Sequence, residues 1–248
     1  MSPTFYPDPP APPEPEREPE APVMPPAEPE SEYESPFENG GRRRPVAYRG
    51  STNDPVFGYL IAIALSVGLT PLIADNADLR YAVLWLVMAG FGVLSWLMGS
   101  SARIGQETPE NLAWGVAFGL IIGVPLLMVG GGLLGETVGR LFPNMGQGSV
   151  LAFLVFVIPL AETLFFRGVL QETRAFWMVG LLSSLWSALV FFPLLDVGRF
   201  PAVAAVIGTS LVMMNMIYSY VRQRNGLAAA WVCQIVVNLV VLFLPLFA

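Results

Sequence analysis

Seven long apolar runs, separated by short connections, constrain this chain more than any other feature. They fall at about 55–74, 81–101, 112–134, 149–172, 176–196, 201–221 and 226–247. Each is close to the ~20 residues that an α-helix needs to cross the hydrocarbon core of a bilayer. A spanning segment must satisfy its backbone N–H and C=O groups internally, and consecutive runs of this length do so as helices. The expected fold is therefore all-α: a polytopic membrane bundle of about seven transmembrane helices occupying 51–248. A hydrophobic content of 54% agrees with that class rather than with a soluble domain. Gly and Pro fall inside several runs, as membrane helices tolerate. Gly119, Gly123 and the Gly130-Gly131-Gly132 triplet are positioned to permit close helix packing.

Residues 1–50 are of a different kind. They hold fourteen of the twenty-three prolines and, before Gly40, ten of the nineteen acids. Such a segment cannot bury enough apolar surface to offset its ordering entropy, so a disordered or extended acidic tail is expected. It opens with no apolar core of the kind a secretory signal carries. Its alternatives are a solvated tail or an arm laid on a partner, with Phe5, Tyr6, Tyr33, Phe37 and Tyr48 as anchors. The basic cluster Arg42, Arg43 and Arg44 just before the first run reads as a cytoplasmic membrane anchor and part of the same partner surface, rather than as a nucleic-acid patch.

The net charge of −6 comes from this tail; from Gly41 onward twelve arginines face nine acids. With the N-terminus inside, ten arginines lie on inner segments and only Arg80, Arg140 and Arg199 on outer ones. That bias predicts a cytoplasmic N-terminus and an outer C-terminus in a bacterial inner membrane. The bilayer is one partner, and no nucleic-acid partner is expected.

Ionisable groups inside membrane runs are costly and mark candidate functional sites. The stretch Ile158-Pro159-Leu160-Ala161-Glu162-Thr163-Leu164-Phe165-Phe166-Arg167-Gly168-Val169-Leu170-Gln171 carries two. Pro159 removes a backbone donor just before Glu162, which predicts a kink and a freed carbonyl. Arg167 lies five residues on, about 140° around an α-helix from Glu162, so the two should not share a face. Arg167 is expected to snorkel to the interface or pair with Glu172. Gln234 and Asn238, at i and i+4, share a face and can act as hydrogen-bonding glue between helices. Asp196 and Arg199 read as a charge pair at a helix end. Cys233 reads as a core residue and Met213-Met214-Asn215-Met216 as flexible packing.

The same stretch resembles the first motif, Glu-Glu-x-x-x-Arg, of the CPBP family of intramembrane proteases, which includes the CAAX prenyl endopeptidases and the bacterial Abi proteins. Glu162, Arg167, Gly168, Leu170 and Gln171 match it, and Thr163 stands at the second Glu. The resemblance covers about 110–247 and implies two further motifs. Phe192 to Asp196 fits the Phe-x-x-x-His motif with Asp196 at the His place. Gln234 to Asn238 fits the third motif with Gln234 at the His place and Asn238 retained. In the family the first Glu and first His are thought to activate water, and the second His and Asn to stabilise an oxyanion.

This chain contains no histidine. Glu162, Asp196 and Asn238 would offer only hard oxygen ligands, which do not suit zinc, so no metal site is expected. No cofactor is expected either; lipid or pigment contacts could come from neighbouring chains. Two readings lead, with a small-molecule transporter or channel ranked last because the sequence shows no paired broken helices or inverted halves. One is a CPBP-like protein without catalysis, an accessory or assembly subunit among other membrane subunits. The other is an endopeptidase using Glu162, perhaps with Asp196 as a second carboxylate. Rulers of ~1.5 Å per residue leave those two carboxylates about 10–15 Å apart in depth.

Overall fold

The computed structural model describes residues 54–97, 108–195 and 198–247. The acidic tail with Tyr6, Tyr33, Phe37, Arg42, Arg43 and Arg44, and also Asp196, lie outside the described residues. Among the described residues, seven helices are long and apolar enough to cross a membrane. They are α1 (Pro55–Leu72), α2 (Ala77–Leu97), α3 (Pro109–Leu141), α4 (Gln147–Thr173), α5 (Phe176–Leu194), α6 (Pro201–Asn225) and α7 (Leu227–Phe247).

Local chemistry sets the starts. Asp54 caps α1 by accepting from the Val56 N–H at 3.0 Å, and Pro55 fills the first helical position, where no N–H is needed. Asn76 accepts from the Leu79 N–H at 2.9 Å, which begins α2 four residues ahead of its apolar run. Thr108 caps α3, and this helix then continues for 33 residues through the triple glycine. At ~1.5 Å per residue it is about 50 Å long, more than a bilayer core requires. Gly226, with φ of 96°, adopts the left-handed region that lets the chain reverse tightly between α6 and α7.

α3 packs along α7, α5 along α6, and α2 along α4. The α3–α7 approach is made by glycine. A Cβ at Gly115 would collide with the backbone of Ala229, and one at Gly119 would lie 2.7 Å from Val236 Cβ. Gly123 approaches Val240 in the same way. The triplet behaves otherwise: a Cβ at Gly131 or Gly132 would meet nothing within 4 Å, so the close packing expected of it is not used there. Gly180 takes the Met216 side chain against the α5 backbone, which gives that methionine its packing role.

Two helices contain π-helical stretches. In α4, Phe153–Val157 and Thr163–Leu170 are π-helical, and in α7 Leu239–Phe243 is as well. The first shift surrounds Pro159. The Ile158 N–H donates to Phe153 O, five residues back, so in this register the Leu154 carbonyl would look to residue 159, which has no N–H. The orphaned carbonyl is taken by another helix, as described below.

The core has two parts. One gathers aromatic side chains around α2 and α4, where Tyr81, Trp85, Phe142, Phe153 and Phe191 stack in tilted and edge contacts. The other lies between α3, α6 and α7 and contains Ile122, Tyr218, Val237 and the fully buried Cys233. Large apolar side chains such as Leu72, Leu86 and Met128 are exposed on the outside of the bundle, where a spanning helix meets lipid.

Candidate functional site

Glu162 ends the α-helical turn between the two π stretches of α4 and is buried. Its Oε2 accepts from Gln234 Nε2 of α7 at 2.6 Å, and its Oε1 accepts from the Trp85 indole N–H of α2 at 3.3 Å. The Trp186 indole of α5 lies in electrostatic reach of the same carboxylate without meeting hydrogen-bond geometry. Both carboxylate oxygens are thus engaged by amide or indole donors, which satisfies a buried acid in the way burial requires.

Gln234 bridges two neighbours. While its Nε2 donates to Glu162, its Oε1 accepts from Thr163 Oγ1 at 3.2 Å. Asn238, one turn on, donates from Nδ2 to Leu154 O at 3.0 Å. That is the carbonyl which Pro159 leaves without its π-register donor. The sequence pattern placed Gln234 and Asn238 on one face, and the structure sets both against α4.

Arg167 departs from the sequence expectation. It neither snorkels nor pairs with Glu172. Its side chain is fully buried, and Nη2 donates to Asn215 Oδ1 of α6 at 2.6 Å, with Ser183 Oγ of α5 at 3.5 Å. The guanidinium lies 5.3 Å from the Tyr218 ring centroid and 5.7 Å from that of Phe166. Its Nε and Nη1 have no hydrogen-bond partner. Asn215 is fixed in turn by donating to Ser187 Oγ at 3.3 Å and Leu211 O at 3.0 Å. Glu172 instead accepts from Arg222 at 2.6 Å, and the Arg222 Nε donates to Arg167 O at 3.1 Å. Glu162 and Arg167 act on each other electrostatically but do not form a salt bridge.

A cavity of about 160 Å³ opens beside these groups. Glu162, Ser187, Asn215, Tyr218, Gln234 and Asn238 line its polar side, and aliphatic side chains of α3, α6 and α7 line the rest. Phe192 sits apart, half-buried in the 3-10 turn that ends α5, packed toward Gly208. Among the described residues, no three His, Cys, Asp or Glu side chains come together.

Several members of this network were not singled out from sequence. Asn215 sits inside a methionine run, Ser183 and Ser187 are small hydroxyls on an apolar helix, and Trp85 and Tyr218 are aromatics within apolar runs. The available signal was polarity in a spanning segment: an amide there must find a partner. Arg80 was read only as an outer arginine. It is buried and ties three helices, donating to Val190 O at 2.9 Å and Thr70 Oγ1 at 3.2 Å.

The fold and this site define a multi-pass membrane protein with a carboxylate–amide centre inside the bundle. Residues 145–240 match the family model described as type II CAAX prenyl endopeptidase Rce1-like. Over that stretch, which includes Glu162, Arg167, Gln234 and Asn238, the chain is similar to CAAX protease-like proteins of the CPBP type. No curated protein and no solved structure matches the chain.

Proposed function

We propose that this protein works by binding rather than by cleavage, as a non-catalytic accessory or assembly subunit of a larger complex in a bacterial cytoplasmic membrane. In this reading the acidic tail, with Tyr6, Tyr33, Phe37 and the Arg42–Arg44 cluster, lies along a cytoplasmic partner. The supporting observation is the Gln234 amide on Glu162 at 2.6 Å. A general base must pass its proton on to a group that can take it, and an amide does not titrate in the working range. With no histidine in the chain, the centre supplies hydrogen bonds without proton traffic. The test is gentle detergent extraction of the native protein, then sizing and mass spectrometry. Stoichiometric co-migration with other membrane subunits is expected. Recovery only as a free chain of 26.9 kDa overturns the proposal.

A second reading keeps Glu162 as the base of an intramembrane endopeptidase, with Asp196 as a second carboxylate. It is favoured by one observation: Glu162 and Asn238 both line the cavity, where a substrate carbonyl could reach them. Its test is Glu162→Gln. Cleavage of a membrane substrate must vanish while the fold persists; cleavage by the variant at the wild-type rate sinks it.

A further inference from the structure

The cavity beside Glu162 does not close inside the bundle. Its α3 wall runs from Leu126 to Leu141 at spacings of three and four residues, and its α6 wall from Val206 to Tyr218. Fifteen residues at ~1.5 Å make a slot about 22 Å long. That is the depth of one leaflet with its headgroups, half of the ~40–45 Å of a whole bilayer. Val129, on the α3 wall of the slot, is 92% exposed, and Val206, on its α6 wall, is 61% exposed. The slot is therefore open sideways, onto the hydrocarbon.

At the Arg140 end a groove of about 190 Å³ continues it, sharing Leu133, Thr137, Leu195 and Ile207. Among the described residues that line this groove there is one charge of each sign, Glu136 and Arg140, paired at 2.5 Å with side chains 62% and 42% exposed. The polar floor at the other end makes no demand for a polar ligand. Glu162, Asn215 and the Asn238 amide nitrogen already hold partners within the protein.

We propose that this slot seats one glycerophospholipid with a zwitterionic, amine-bearing headgroup. Its phosphate meets Arg140, its ammonium meets Glu136, and one acyl chain runs between α3 and α6 toward Glu162. The rim selects the headgroup: an anionic lipid satisfies Arg140 but faces the Glu136 carboxylate, whereas a zwitterion makes charge-assisted contacts with both. The exposed Glu136–Arg140 pair is weak by itself, so exchanging it for headgroup contacts costs little. The inner cavity is in the size class that accepts a benzene-sized apolar group, so it takes the end of the chain while the rest lies in the open groove. The inference holds whether Glu162 is catalytic or inert, so it stands or falls separately from the proposed function.

The experiment is native mass spectrometry of the full-length protein released from liposomes of equal phosphatidylethanolamine and phosphatidylglycerol with identical acyl chains. One phosphatidylethanolamine per chain is expected, favoured about fivefold, the scale of one exposed charge contact. Glu136→Gln with Arg140→Gln should erase the preference. Ile207→Trp should reduce retention of both lipids, and Val129→Trp, at an exposed position where folding is not at stake, should do the same. Equal or preferential retention of phosphatidylglycerol by the wild type, no retained lipid, or a preference unchanged in the double variant overturns the proposal.

Discussion

Replacing Asn215 by Leu tests whether Arg167 is a buried charge held by one amide. Among its hydrogen bonds the 2.6 Å contact to Asn215 Oδ1 is short, the 3.5 Å contact to Ser183 is at the limit, and Nε and Nη1 have none. Hydrogen bonds between helices in membranes average about 0.6 kcal/mol, whereas those to charged groups reach about 1.5–3 kcal/mol. A short bond to an ion with no other strong acceptor belongs at the upper end, so Asn215→Leu should cost about 2–3 kcal/mol. Arg167→Met removes the ion itself at similar length. Exchanging a buried ion for an apolar side chain is often neutral or stabilising, while stranding one is strongly destabilising. The double variant Asn215→Leu/Arg167→Met should therefore be more stable than Asn215→Leu alone, by about 1–2 kcal/mol on the same grounds. Equilibrium unfolding in mixed micelles, followed by tryptophan fluorescence, measures all three. A cost below about 0.6 kcal/mol for Asn215→Leu, or a double variant no better than the single one, would refute this account of Arg167.

Gly115→Ala should destabilise by about 1–3 kcal/mol, because its Cβ would occupy the place of the Ala229 backbone, whereas Gly131→Ala should be neutral or stabilise by up to about 1 kcal/mol; thermal unfolding in detergent separates them. Gln234→Leu removes the Glu162 donor and the Thr163 acceptor together and should cost about 1–3 kcal/mol in the micelle assay. Glu172→Ala breaks only a partly exposed pair with Arg222 and should change stability by less than about 1 kcal/mol.

The seven spans were legible because bilayer thickness fixes the length of an apolar run. Glu162 was legible because an acid in such a run stands out. Pro159 was informative in the same direct way, since a missing donor must leave an acceptor for something else. Arg167 was not legible. Its 140° offset from Glu162 assumes 100° per residue, and Thr163–Leu170 is π-helical, where that ruler fails. Snorkelling was a fair default for an arginine near a helix end, but Asn215 and Ser183 offer acceptors inside the bundle. Those partners could not be read from spacing, because they depend on how α5 and α6 approach, and Gly180 against Met216 sets that approach. The sequence places the α3 end at about 134 because the apolar run stops before Gly135 and Glu136, yet the helix continues to Leu141.

The chemistry of Gln234 sets what this centre can do in a chain without histidine. A neutral imidazole can donate from one nitrogen and accept at the other. Gln234 fills both roles, donating to Glu162 and accepting from Thr163, so α7 remains tied to α4 at this level. What an amide cannot do is take up a further proton near neutrality. Asn238 has a role that is structural whatever the chemistry, because it serves the Leu154 carbonyl displaced by the Pro159 register shift. The hydrogen bonds that hold α4 and α7 together are thus complete without any group that titrates as histidine does. These contacts account for the packing of α4 on α7 at this level, and the similarity over residues 145–240 by itself carries neither catalysis nor its absence.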